Sequence, residues 1–224
     1  MARTTEREAK RARRGRALRW ERRPDDRPGE LLDAAMTVFA EKGYRNTRLE
    51  EIAEAAGVTK GTIYHYFSTK EELLLRAIEQ HHERVFGRLA EELREVAGPA
   101  SERIRLFIRR GFGGTERAGR GVLALLVLGI AHEVPDAYRQ WIASGPVEGW
   151  KLLARLVDEG RRAGEFRADV DAEVAARVLI SGLLLQSIWQ QHASGVRGLA
   201  IPEKRLLDEA TELFLAGLRG TPSG

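Results

Sequence analysis

Residues 58–73 read VTKGTIYHYFSTKEEL. Ile63 and Phe67 stand one helical turn apart and anchor a short helix over Thr59–Phe67. With those two turned inward, Thr59, Lys60, Thr62, Tyr64 and His65 face elsewhere, and each can donate a hydrogen bond to a phosphate or a base edge. A short amphipathic helix that merely meets water favours Glu, Lys and Gln, whereas hydroxyl and aromatic side chains dominate here. Gly61 removes bulk where such a helix would lie closest to a ligand. Tyr66 is open between packing beneath the helix and joining the exposed set.

The flanks are also helical. ELLDAAMTVFAEKG (30–43) places Leu31, Ala35 and Val38, or Leu32, Ala35 and Phe39, on one face and stops at Gly43. In TRLEEIAEAAG (47–57), Thr47 with Glu50 reads as a capping box, Ile52, Ala53 and Ala56 face inward, and Gly57 ends the helix. After residue 67, Ser68 with Glu71, or Thr69 with Glu72, caps a fourth helix carrying Leu73, Leu74, Ala77 and Ile78. Two short helices joined by AGVT (56–59) form the pattern of a helix-turn-helix, whose second helix enters the DNA major groove. That groove is about 12 Å wide, and nine helical residues span roughly 13 Å, enough for three or four side chains to reach bases. Thr47 and Lys70, at the starts of the flanking helices, are candidates to grip phosphates beside helix N-termini.

Charge supports a polyanion partner. Residues 1–23 hold ten Arg or Lys against three Glu, an excess of seven, while the whole 224-residue chain carries only +4. Residues 1–28 lack an apolar period and are expected to be a basic, flexible arm. The chain contains no cysteine, which suits a reducing compartment. The charged start is unlike a secretory leader, and the most apolar run, GVLALLVLGIA (121–131), is too short to span a bilayer, so a cytoplasmic protein without a membrane partner is expected.

Beyond residue 85 helices are expected at 101–112, 120–133, 136–160, 171–193 and 202–219, with no convincing strand. The segment 173–190 is apolar nearly all round and must be covered on more than one face, and Gly182 would let a neighbour approach closely. The last helix shows a stripe of Leu206, Ala210, Leu213 and Gly217 beside Leu207 and Phe214.

LLDAAMTVFAEKGYRNTRLEEIAEAAGVTKGTIYHYFSTKEELLLRAI (31–78) resembles the N-terminal DNA-binding domain of TetR-family transcriptional regulators: the FAEKGY link, the IAEAAGV helix, the KGTIYHYF recognition helix and the KEEL start of the next helix all match. The resemblance implies an all-α homodimer with a three-helix helix-turn-helix domain at 29–75 and a variable helical domain at 76–224 for effector binding and dimerisation; the basic arm at 1–28 is additional to the family core. It implies a regulator released from a palindromic DNA operator by a small effector, with repression favoured over activation; the mostly apolar pocket candidates named below favour a hydrophobic or amphipathic effector, and no cofactor or metal is expected. Residue by residue it puts Thr59, Lys60, Gly61, Thr62, Tyr64 and His65 at the groove, with Tyr64 and Lys70 among the phosphate contacts.

In the C-terminal part, 149–160 and 173–190 are the dimer candidates, as helices of a four-helix bundle. Phe107, Phe112, Leu125, Leu128, His132, Tyr138, Trp141, Trp150, Gln186 and Trp189 are the pocket candidates, although any one aromatic at helical spacing is more often core. Two other readings compete. An enzyme finds little support: the five histidines show no metal-ligand spacing, and there is no phosphate loop, nucleophile elbow or cysteine nucleophile. A sequence-tolerant architectural DNA-binding protein would need neither a cavity nor an operator preference.

Overall fold

The computed structural model describes residues 27–113, 123–192, 196, 198 and 201–220, and every regular element among them is a helix. The helices are α1 (Arg27–Lys42), α2 (Leu49–Ala56), α3 (Lys60–Tyr66), α4 (Lys70–Glu95), α5 (Ala100–Phe112), α6 (123–129), α7 (Pro135–Ser144), α8 (Pro146–Arg162), α9 (Ala172–His192) and α10 (Glu203–Arg219). The expected arm lies outside the described residues except for Arg27 and Pro28, which open α1 instead; a proline in the first turn forfeits no hydrogen bond.

The first three helices form a compact head. Both candidate stripes of α1 are buried, with Leu31 and Phe39 fully enclosed, because α2 covers one flank and α4 the other. Ile52 of α2, Ile63 of α3 and Leu73, Leu74 and Ile78 of α4 complete the same core. Gly57 closes α2 in the left-handed region at φ 67°, where a side chain would be strained, and the Val58 amide then reaches back to the Ala53 carbonyl at 2.9 Å. The capping box of α2 forms one residue later than expected. Glu51 accepts from the Arg48 amide at 2.9 Å, while Thr47 is buried with its hydroxyl donating to the Gly43 carbonyl at 2.7 Å. At the start of α4, of the two expected caps it is Thr69 that forms: it accepts from the Glu72 amide at 3.0 Å, and Glu72 accepts from the Ser68 amide at 2.7 Å.

Helix α4 then runs unbroken through the expected boundary at residue 75, about 39 Å in all. Its first half supplies the head core and its second half, through Leu89 and Leu93, a second core built from α5, α8, α9 and α10. The head core does not stop at the head: Leu123, Ala124, Val127, Ile130, Val134, Ala137 and Trp141, from α6, α7 and the turn between them, belong to it.

Two expected helices are shorter than their periodicity suggests. The helical stretch at 123–129 gives way to turns over 130–133, with 120–122 outside the described residues. The single helix expected over 136–160 is two, because Pro146 has no amide to continue α7 and instead opens α8. Gly145, at that corner, is required by packing: a Cβ there would lie 2.8 Å from His82 Nε2. In α10 the buried side is Leu207, Thr211, Leu215 and Leu218, so the stripe with Leu213 and Gly217 turns outward.

Candidate nucleic-acid interface and effector cavity

Helix α3 is fastened from beneath and bare above. Ile63 is fully buried and Phe67 nearly so, while Tyr64 is half exposed and Thr59, Lys60, Gly61, His65 and Tyr66 are exposed. Thr59 caps the helix, its hydroxyl oxygen accepting from the Thr62 amide at 3.3 Å and lying 3.0 Å from the Thr62 hydroxyl. The open alternative for Tyr66 resolves toward exposure, with the His65 ring edge-on to it at 4.9 Å. Nothing inside the protein calls for glycine at 61: its backbone is helical, and an added Cβ would meet only Thr59 Oγ1 at an ordinary 3.7 Å.

A carboxylate already engages the lysine of this face. Lys60 Nζ lies 2.5 Å from Glu50 Oε1 and sits over the Tyr64 ring at 5.5 Å. The Lys60 hydrogen bond holds the Glu50 carboxyl below the usual carboxylate range, and Glu50 in return raises the Lys60 ammonium. Arg48, exposed at the start of α2, was missed by the sequence reading; the placement of a cation on the first helix of the pair was the available signal.

Two expected phosphate contacts are committed elsewhere. Thr47 is enclosed, as described above, because its hydroxyl serves the turn that follows α1. Lys70 donates to the carbonyls of Tyr44 at 2.8 Å and Thr47 at 3.1 Å and sits over the Tyr44 ring at 4.3 Å, which spends most of its donor capacity on that turn. Burial pulls the Lys70 ammonium below its ordinary value and pushes the Tyr44 hydroxyl up.

A cavity lies beside α4. Of the ten candidates only Phe112 and Trp141 line it. Phe107 is sealed in the second core, Leu128, His132 and Trp189 are exposed, and Leu125, Tyr138 and Gln186 are partly covered without facing it. Trp150 instead stacks under the Arg177 guanidinium at 4.7 Å. Its other walls are His81, His82, Val85 and Phe86 from the middle of α4, Leu123 of α6, the Gly145–Pro146 corner, and Ile180 and Leu184 of α9. The middle of α4, EQHHERVFGR (79–88), carries no sequence mark of a cavity wall, being polar and without the aromatic spacing found downstream. The space between these walls is about 50 Å³, and an outer groove of about 330 Å³ shares His82 and Phe86 with it.

Head and body are tied by charge as well as by the shared core. Arg45, in the turn after α1, grips Glu133, in the turn after α6, with both Nε and Nη2, the former at 2.8 Å. That pairing holds the Glu133 carboxyl below its usual range. Among the described residues no cluster of three His, Asp or Glu is arranged to hold a metal ion.

The sequence profile described as bacterial regulatory proteins, tetR family, matches residues 31–77. Across 75% of this chain and 81% of the relative, the chain is 30% identical to the HTH-type transcriptional repressor KstR2 of Rhodococcus jostii. It is 31% identical to the fatty acid metabolism regulator protein of Bacillus subtilis over 71% of this chain and 80% of that protein. In three dimensions it resembles the transcriptional regulator FadR of Bacillus subtilis, solved in complex with stearoyl-CoA, with a TM-score of 0.69 and 25% identity over 84% of this chain and 97% of that one. The head, the α4 lever and the C-terminal helical body are therefore those of a TetR-family transcriptional regulator, and this chain belongs to that family.

Proposed function

We propose that the chain acts as a homodimeric repressor that holds a near-palindromic operator with two copies of α3 and releases it when an apolar or amphipathic small molecule enters beside α4. The observation that carries this reading is α3 itself: two buried anchors below, and above them a face of Thr59, Lys60, Thr62, Tyr64 and His65 around a glycine the protein does not need. A helix of that shape fits the major groove, with Gly61 at the closest approach and Arg48 on the flanking backbone.

Dimerisation has support in α9 and α10 rather than in α8. The α8 glycines are used within the subunit, Gly149 against Phe86 and Ile180, and Gly160 against Phe166 and Ala100. By contrast, Val174, Val178, Leu185 and Trp189 form an exposed apolar stripe on α9, Leu213 is exposed on α10, and Gly182 and Gly217 have open space before them. Two subunits joined there form a four-helix bundle with a large apolar seam. The stearoyl-CoA held by the FadR relative, an apolar chain with a polar head, supports the effector class. Binding alone suffices for the response by reciprocal linkage, with no bond of the effector made or broken.

The test is a nuclease footprint of the full chain on genomic DNA fragments that it selects. Two protected half-sites about one helical turn, roughly 34 Å, apart are expected, with protection lost on adding an active amphiphile. Uniform, salt-sensitive coating of every fragment would favour the architectural reading instead.

A further inference from the structure

The inner cavity and the outer groove are each incomplete as a ligand site. The inner one is apolar, walled by Phe112, Leu123, Trp141, Ile180 and Leu184, but its volume of about 50 Å³ is far below that of an effector pocket, which usually encloses roughly 300–1,000 Å³. The outer groove, about 330 Å³, is large enough but charged, carrying Glu79, Glu83, Glu148 and Arg155. His82 and Phe86 face both spaces and so form the wall between them.

His82 is a buried polar side chain, 7% exposed, at the corner where α7 ends. Its Nδ1 lies 2.8 Å from Ser144 Oγ, and Ser144 donates its hydroxyl hydrogen to the Gln140 carbonyl at 2.8 Å. With that hydrogen committed, Ser144 can only accept from the ring, so Nδ1 carries the hydrogen and His82 donates. The ring lies against Gly145, where there is no space for a Cβ.

We propose that His82 is the movable partition of one continuous effector site, and that its Nδ1–H leaves Ser144 to donate to an uncharged carbonyl oxygen on a ligand whose apolar tail fills the inner cavity. This rests on the effector-binding reading above and narrows it to ketones, esters, thioesters or amides bearing an alkyl or alicyclic tail. The acceptor follows from the donor that His82 presents. The absence of negative charge at that oxygen follows from the groove, where three carboxylates outnumber one guanidinium and disfavour an anion; Glu79 and Glu148 pair with exposed partners on their own helices, Arg76 and Lys151. Displacing His82 also has a route to the DNA-reading head. Ser144 and Gly145 end α7, and the Trp141 and Ala137 side chains of α7 lie in the head core.

The experiment is a thermal-shift titration of the full chain with three chain-matched probes below their micellar concentrations: 2-undecanone, undecane and undecanoate. The wild type is expected to bind the ketone roughly five- to tenfold more tightly than the hydrocarbon, the worth of one hydrogen bond, and more tightly than the carboxylate. His82→Phe should erase the difference between ketone and hydrocarbon, and Ser144→Ala, which removes the competing acceptor, should keep or increase it. Equal binding of ketone and hydrocarbon by the wild type, preference for the carboxylate, or a ketone preference that survives His82→Phe would overturn the proposal. Should His82→Phe not fold, a ketone preference that falls in Ser144→Ala overturns it equally. If all three probes bind alike and Leu123→Trp blocks them, only this proposal fails. If no probe shifts the wild-type melting curve, the effector-site reading fails with it.

Discussion

In the proposed DNA-reading face, Lys60 is occupied before DNA arrives. Its ammonium is paired with Glu50, and a phosphate must displace that carboxylate. Glu50→Gln is therefore expected to tighten operator binding by roughly two- to fivefold and to steepen the fall of log affinity with log salt by up to about 0.9, measured by fluorescence anisotropy. The pH dependence has a definite sign. Because the pairing depresses the folded Glu50 value, the pair is complete above the usual carboxylate range and is lost as pH falls through that depressed value, so wild type and Glu50→Gln should differ at neutral pH and converge in acid. Gly61 offers a cleaner separation of folding from function. Gly61→Ala relieves the helix of glycine's freedom, so a stability gain of about 0.5–1 kcal/mol is expected together with weaker operator binding, whereas a gain in both would place DNA away from α3. At this scale the sequence was readable where spacing decides: Ile63 and Phe67 were legible as anchors because a period of one turn leaves no other inward face. Thr47 and Lys70 were not, since the turn over residues 43–48 that consumes their hydrogen bonds is a tertiary arrangement without periodicity.

Helix α4 joins the two cores, and on the proposed reading the elements beside it link the cavity to the head. The α6–α7 segment touches both ends of the problem: Leu123 lines the cavity, Val127 and Ile130 pack in the head core, and Glu133 holds Arg45. Glu133→Gln is expected to leave the fold intact and to reduce the factor by which effector weakens operator binding, by roughly two- to tenfold, as read from paired titrations with and without ligand. Gly145→Ala forces a methyl group onto the His82 ring, and overpacking of this kind costs about 1–3 kcal/mol, visible as a lowered denaturation midpoint. Element boundaries were legible where a residue type dictates them, as with Gly57 and the Thr69 cap. The corner at Gly145–Pro146 was passed over although Pro146 announced it, because the apolar pattern continues in phase across it. That bend turns α7 and α8 around the middle of α4 and so sets the walls of the cavity there.

At the scale of the molecule, the apolar surface of α9 has to be covered. Ala172–Gln190 is, by length and composition alone, long and apolar enough to cross a bilayer, a longer apolar segment than the 121–131 run singled out from the sequence, and a third of it is buried against the rest of the chain. Its inner side packs on α8, and its outer side is the stripe proposed to meet a second subunit. Val178→Asp, at a position 70% exposed, is expected to yield a folded monomer in sedimentation equilibrium that no longer protects paired half-sites; a dimer unaffected by the change would move the interface elsewhere. The all-helical architecture and the head were legible because caps, glycine stops and a 3.6-residue period agree there. The α9 and α10 faces were less so, since a helix apolar on several sides does not say which side meets its own chain. The central claim is that α3 reads DNA, and the most direct measurement is an anisotropy titration of a selected operator duplex with the wild type and Tyr64→Ala. The structure leads us to expect that the variant, whose half-exposed ring supports no core, melts like the wild type and loses roughly tenfold or more in affinity for the operator but little for unrelated DNA. Equal operator affinity for the two proteins would contradict it.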